Sequence, residues 1–143
     1  MKNSVKKEIE KLMKKMKATY SIDKFKDKTS WYHTSKYQKL SLDLIREFKD
    51  EVDWGHISKY QKLSLNFIRE FKDKVNWICI SRYQILSEDF IREFKDKVDW
   101  EYIEKYQKIT KKDIEELEKQ EKQKIEKELE KTRVKNRFQL IRF

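Results

Sequence analysis

A chain of 143 residues is enough for one domain, and with no proline and one glycine it excludes a loop-rich or hairpin-built fold. Charged residues reach 43% against 37% apolar, a balance that alone would mean disorder, but 4 Trp, 7 Tyr and 8 Phe are too many for a solvated tail. The single cysteine, Cys79, excludes an internal disulfide and is too few for a structural zinc site, which fits a reducing, cytoplasmic compartment. No apolar run approaches the roughly 20 residues that span a bilayer, and the N-terminus lacks the apolar core of a secretion signal. Neither a transmembrane segment nor a cofactor is expected.

Residues 1–20 predict a basic amphipathic helix that caps the remainder of the chain. Val5, Ile9, Leu12, Met13 and Met16 share one face, and Lys6, Lys7, Lys11, Lys14 and Lys15 lie largely off it. Such a face also suits a membrane surface.

From residue 21 to residue 117 the chain repeats itself. Trp31, Trp54, Trp77 and Trp100 stand 23 residues apart. Aligned on them, three units read WYHTSKYQKLSLDLIREFKDEVD, WGHISKYQKLSLNFIREFKDKVN and WICISRYQILSEDFIREFKDKVD, and a fourth begins WEYIEKYQKITKKDIEEL. Ile22, Phe25, Lys26, Asp27 and Lys28 match the back half of a unit before the first tryptophan. Self-similarity at a period of this size marks a stacked array. The fold expected is therefore all-α, a short α-solenoid of helix–turn–helix repeats with capping helices at both ends.

Capping residues locate two helices per unit. Ser30, Asp53, Asn76 and Asp99 precede the tryptophans, and Ser41, Ser64, Ser87 and Thr110 stand midway. All are side chains that accept from the open N–H groups of a first turn. Helix A is expected over residues such as 54–61 and helix B over residues such as 65–75. The apolar stripe is Trp54, Ile57 and Tyr60 in helix A, and Phe67, Ile68, Phe71 and Val75 in helix B, with Leu63 under the turn. Glu70 and Lys74, and Glu93 and Lys97, stand in the favourable i, i+4 order for pairs within helix B. The Trp and Tyr rows read as core, with base-stacking platforms or aromatic cages as the functional alternative, the Tyr row being the more ambiguous, and Gln38, Gln61, Gln84 and Gln107 read as candidates for bonds between units.

The last stretch, 118–143, is charged. A helix over residues 111–131 carries a thin stripe of Ile114, Leu117, Ile125 and Leu129, free to project, to pair with another chain or to fold back. Phe138, Leu140, Ile141 and Phe143 form an apolar tip expected to dock.

Net charge is +10, unevenly placed. Residues 1–30 hold 10 Lys+Arg against 4 Asp+Glu, residues 31–99 hold 13 against 12, and residues 100–143 hold 13 against 10. The basic excess thus falls at the ends. Lys6, Lys7, Lys11, Lys14 and Lys15 at one end, and Arg133, Lys135 and Arg137 at the other, are the expected polyanion-binding residues. The rows Lys36, Lys59, Arg82, Lys105 and Arg46, Arg69, Arg92 read as solvated faces.

Two columns vary while their neighbours repeat: Tyr32, Gly55, Ile78, Glu101 and His33, His56, Cys79, Tyr102. Repeated positions hold a stack together, so the varying ones are the expected partner-binding surface. His33, His56 and Cys79 are not read as metal ligands. Ligands must lie about 2 Å from one ion, whereas packed helices stand about 8–10 Å apart. No phosphate loop, nucleophile–base pair or ligand cluster is legible, so an enzyme is not expected.

The pattern W-x-x-I-S-x-Y-Q-x-L-S-x-x-F-I-R-E-F-x-D-x-V, as in residues 54–75, resembles repeat arrays in predicted proteins of giant DNA viruses, and is similar to arrays in phages and low-G+C bacteria. It covers residues 21–117. These arrays are functionally uncharacterised and lend no site residues. The resemblance implies a viral, phage or mobile-element setting. The expected function is then a non-enzymatic binding protein that occupies the surface of a protein or protein–nucleic acid complex. Its concrete version is a phage inhibitor of a host defence complex such as an RNA-guided nuclease, of the anti-CRISPR type. Direct binding of RNA or DNA through the basic ends is the alternative, and self-association through the C-terminal helix is a further expectation.

Overall fold

The computed structural model describes residues 1–141 and is helical, with no strand among them. Helix α1 (Asn3–Lys15) is followed by a 3-10 turn (Ile22–Lys24) and the short α2 (Phe25–Lys28). The repeats then supply α3 (Trp31–Tyr37) and α4 (Leu42–Glu47), α5 (Trp54–Tyr60) and α6 (Leu65–Glu70), and α7 (Trp77–Tyr83) and α8 (Glu88–Glu93). In the fourth unit α9 (Trp100–Tyr102) runs into a π turn (Ile103–Gln107) before the long α10 (Lys111–Leu140). The A helices α3, α5, α7 and α9 stack on one another in order.

Most caps fall where the sequence puts them. Asp53, Asn76 and Asp99 accept from the third amide onward, and Ser41, Ser64, Ser87 and Thr110 do the same for the B helices and α10. Ser30 is the exception. Its hydroxyl lies 2.8 Å from His33 Nδ1 and caps no amide. The core is one continuous column in which Ile57, Phe67 and Ile68, and Ile80 and Phe90 in the next unit, are fully buried. The tryptophans are half-buried against it. Trp54 lies 5.0 Å from the Phe71 ring and Trp77 the same distance from Phe94.

The joints are polar as well as apolar. Gln61 Nε2 donates to the carbonyls of Ser35 (2.9 Å) and Gln38 (2.7 Å), while its Oε1 accepts from the Leu40 amide (3.0 Å). Gln84 repeats the set on Ser58, Gln61 and Leu63. The buried Ser35, Ser58 and Ser81 hydroxyls accept the amides of Asp53, Asn76 and Asp99. A side-chain amide that fills both its roles on the neighbour's backbone fixes the spacing of the stack as apolar packing alone does not.

Helix B is shorter than its apolar stripe. It ends at Glu70 instead of Val75, and residues 71–75 continue as hydrogen-bonded turns. The Lys72 carbonyl takes the Trp77 indole N–H (2.9 Å), and the Asn76 amide goes to Ser58 (2.9 Å). The remaining turn is closed by Val75 N–H on the Phe71 carbonyl. With the helix cut there, the expected pairs within helix B do not form. Glu70 meets Arg46 of the unit before it, and Glu93 meets Arg69, both at 2.8 Å.

The two ends close the stack unequally. Val5, Ile9 and Leu12 of α1 are buried. That face is core and is not left for a membrane. Glu8 accepts the Ser41 amide (2.8 Å) and hydroxyl. Gln38 Oε1, however, has no partner, since the amide that would serve it, Lys17 N–H, turns back to the Lys14 carbonyl. At the other end Ile114 is buried, and Lys95–Glu118 (2.9 Å) and Arg92–Glu121 tie α10 to the third unit. From Lys119 onward every described residue is exposed. The helix projects past residue 131 to Leu140, and the expected docking of the apolar tip does not occur: Phe138, Leu140 and Ile141 are exposed. Arg142 and Phe143 lie outside the described residues.

Candidate binding surface

Positions one, two, five and six after each tryptophan share a face of helix A, since residues four apart are neighbours on a helix. The structure places both varying columns there. Tyr32, His33, Ile78 and Glu101 are exposed, and Gly55, His56, Cys79 and Tyr102 are half-buried beside them. We call this face the A edge. It includes a row read as core from sequence: Tyr37, Tyr60, Tyr83 and Tyr106 are 62%, 44%, 42% and 42% exposed. The inner face of α5 is filled by Ile57, Ser58 and Gln61. Tyr60 stands about 60° round the helix from Ile57, enough to bring the ring out of the stack.

Each tyrosine is flanked by a cation. Lys36 Nζ lies 4.9 Å from the Tyr37 ring centre. Lys59 lies 4.9 Å from Tyr60 and 5.3 Å from Tyr83, and Arg82 5.0 Å from Tyr83 and 5.7 Å from Tyr106, so both bridge two units. Hydrogen bonding to Tyr37 raises the Lys36 ammonium above its ordinary value, and Tyr60 does the same for Lys59. Behind them the rings pair: His33 with Tyr37 at 6.1 Å and His56 with Tyr60 at 5.7 Å, nearly parallel. Tyr32 reaches across the joint edge-on to His56, at 4.5 Å.

Between units the A edge is grooved. A cleft of about 560 Å³ separates Tyr37 from Tyr60, with Lys36, Lys39 and Lys62 on its walls and Gln61 within it. A second, of about 290 Å³, lies between Tyr60 and Tyr83.

Charge is sorted between the two edges of the stack. Residues 31–42, 54–65 and 77–87, which make the A helices and their turns, hold five cations and no acid. The intervening 43–53, 66–76 and 88–99, which make the B edge, hold 8 cations and 12 acids. The near-neutral body is the sum of a basic edge and an acidic one. Arg46 and Arg69 are each paired to the next unit's glutamate, and Lys74 reaches back to Asp50 at 3.1 Å. The Lys36 row, by contrast, meets no carboxylate within ion-pair distance among the described residues. The fourth unit carries Glu101 and Glu104 and ends the basic stripe.

The expected polyanion residues are exposed but scattered. Lys6, Lys7, Lys11, Lys14 and Lys15 lie on the outside of α1, while Arg133, Lys135 and Arg137 lie on the projecting part of α10, with Arg133 3.9 Å from Glu130.

Burial pushes the Cys79 thiol up, away from the thiolate that a nucleophile requires. His33 faces Ser30, and His56 Nδ1 lies 2.9 Å from Asp53 Oδ1, off the line of a good hydrogen bond and with no other partner. Among the described residues no three His, Cys, Asp or Glu are gathered to hold a metal ion, and no helix is long and apolar enough to cross a membrane. No family model matches the chain, and neither does any curated protein or solved structure.

Proposed function

We propose that the chain is a non-enzymatic binding protein whose A edge occupies the surface of a macromolecular partner. One observation carries this reading. The arginine row of the B edge, Arg46, Arg69 and Arg92, pairs with carboxylates of the protein itself, whereas Lys36, Lys59 and Arg82 of the A edge lie beside exposed rings and meet no carboxylate within ion-pair distance among the described residues. Aromatic and cationic side chains left exposed together are the composition of interface hot spots. The variation of Tyr32, Gly55, Ile78 and Glu101 falls on the same face and suits a surface fitted to one partner. In the viral or phage setting implied by the repeat's resemblance, the concrete version is an inhibitor of a host defence complex such as an RNA-guided nuclease, acting in the host cytoplasm.

A second reading assigns binding to the basic ends alone. It is supported by the exposure of Lys6, Lys7, Lys11 and Arg137. The two readings separate in a capture experiment from lysates of candidate hosts. The tagged chain is compared with Lys36→Glu/Lys59→Glu and with Lys6→Glu/Lys7→Glu/Lys11→Glu. Capture lost only with the first pair supports the A edge, and capture lost only with the second set moves the function to the ends.

A further inference from the structure

We infer that the A edge is a site for single-stranded nucleic acid, running across the first three units; this rests on the A edge being the binding surface and names its ligand. Three observations converge. Each of the three units brings one exposed ring with a cation beside it, and Lys39 and Lys62 raise the cations to five, the chemistry of a polymer that repeats an anion and a flat base. A cleft lies between each pair of neighbouring rings from Tyr37 to Tyr83, and a base entering it meets a tyrosine once the cation now over the ring turns to the phosphate. No acid interrupts the A-helix segments until Glu101, so the surface is complementary to an unbroken run of phosphates.

A single strand fits better than a duplex. Stacking on tyrosine needs a base whose face is free, and paired strands bury theirs. The regular recurrence of a ring with a cleft beside it favours a polymer that offers a flat group at every step over the irregular surface of an acidic protein. Lys59 and Arg82, each lying between two rings, are positioned to hold phosphates at the joints, with Tyr37, Tyr60 and Tyr83 as the stacking platforms.

The test is fluorescence anisotropy of labelled oligo-U and oligo-dT, roughly 12 nucleotides long to suit the usual site sizes, with a duplex of equal length beside them. We expect the single strands to bind more tightly than the duplex. With five phosphates neutralised, their affinity should fall about 100-fold between about 50 and about 200 mM salt. Replacing Tyr37, Tyr60 and Tyr83 together by Leu should weaken binding at least about 100-fold, and replacing them by Phe should restore most of it. These side chains are exposed, and circular dichroism checks that the helices persist. Equal loss with Leu and Phe, or binding abolished only by the α1 lysine substitutions, would overturn the inference. If no oligonucleotide binds but a captured protein is lost with Lys36→Glu/Lys59→Glu, the ligand is wrong and the A edge stands. If neither depends on the A edge, both fall.

Discussion

The A and B edges are cut from the same repeat, and each carries a row of basic side chains that reach from one unit to the next. On the B edge Arg46 and Arg69 swing to the next unit, pair with Glu70 and Glu93, and lie over the rings of Phe67 and Phe90. On the A edge Lys59 and Arg82 also reach the next unit, but find only tyrosine. One row is internal stitching and the other is open to a visitor. In an array, then, a repeated residue is not by repetition alone structural. What decides is whether its neighbour supplies a complement.

The contrast can be broken most directly at the joints. Gln61→Leu strands the Leu40 amide and the Ser35 and Gln38 carbonyls, and should cost about 2–4 kcal/mol in urea unfolding. Gln107→Leu should cost less, since two of its bonds are stretched to 3.4 and 3.5 Å. Arg69→Ala on the B edge loses an exposed ion pair and a ring contact, and a loss of up to about 1 kcal/mol, shrinking in high salt, is expected.

Acid should act through the caps. The His56 amide bond holds the Asp53 carboxyl below its ordinary value of 3.8. A folded value below the unfolded one gives stability that is complete above the unfolded value and is lost as pH falls through the folded one. Asp53→Asn copies the Asn76 cap of the next unit. Thermal melts should therefore match wild type at neutral pH and lose less than wild type below about pH 4. The smallest effect belongs to the A edge: Tyr60→Leu should leave stability within about 0.5 kcal/mol. A large loss there would mean that the tyrosines hold the stack together and are no platform.

Much of the fold was legible in the letters. A 23-residue period with two columns of capping residues dictates helices, turns and stacking direction together, and the glutamine row already hinted at the joint. Two features escaped for physical reasons. Tyr60 keeps helical spacing with Trp54 and Ile57, and only the buried Ser58 and Gln61 reveal that the inner face is turned away from it. Helix B keeps its stripe through Val75, yet its last turn is not α-helical, and the Lys72 carbonyl and Asn76 amide that would prolong it go to side chains of two other helices, which no local pattern reports. The sorting of charge between edges was readable once helix A and helix B were tallied apart.

The joints have a consequence for length. Their bonds link residues 18, 21, 23 or 26 positions apart, and the arginine pairs add 24, the same at each inner joint. Cutting out residues 54–76 would bring Trp77 behind Asp53 and hand every bond to the corresponding atom one unit later. The protein is in this sense a ruler graduated in tyrosines, and whatever it measures could be matched by adding or removing whole graduations without redesigning either end.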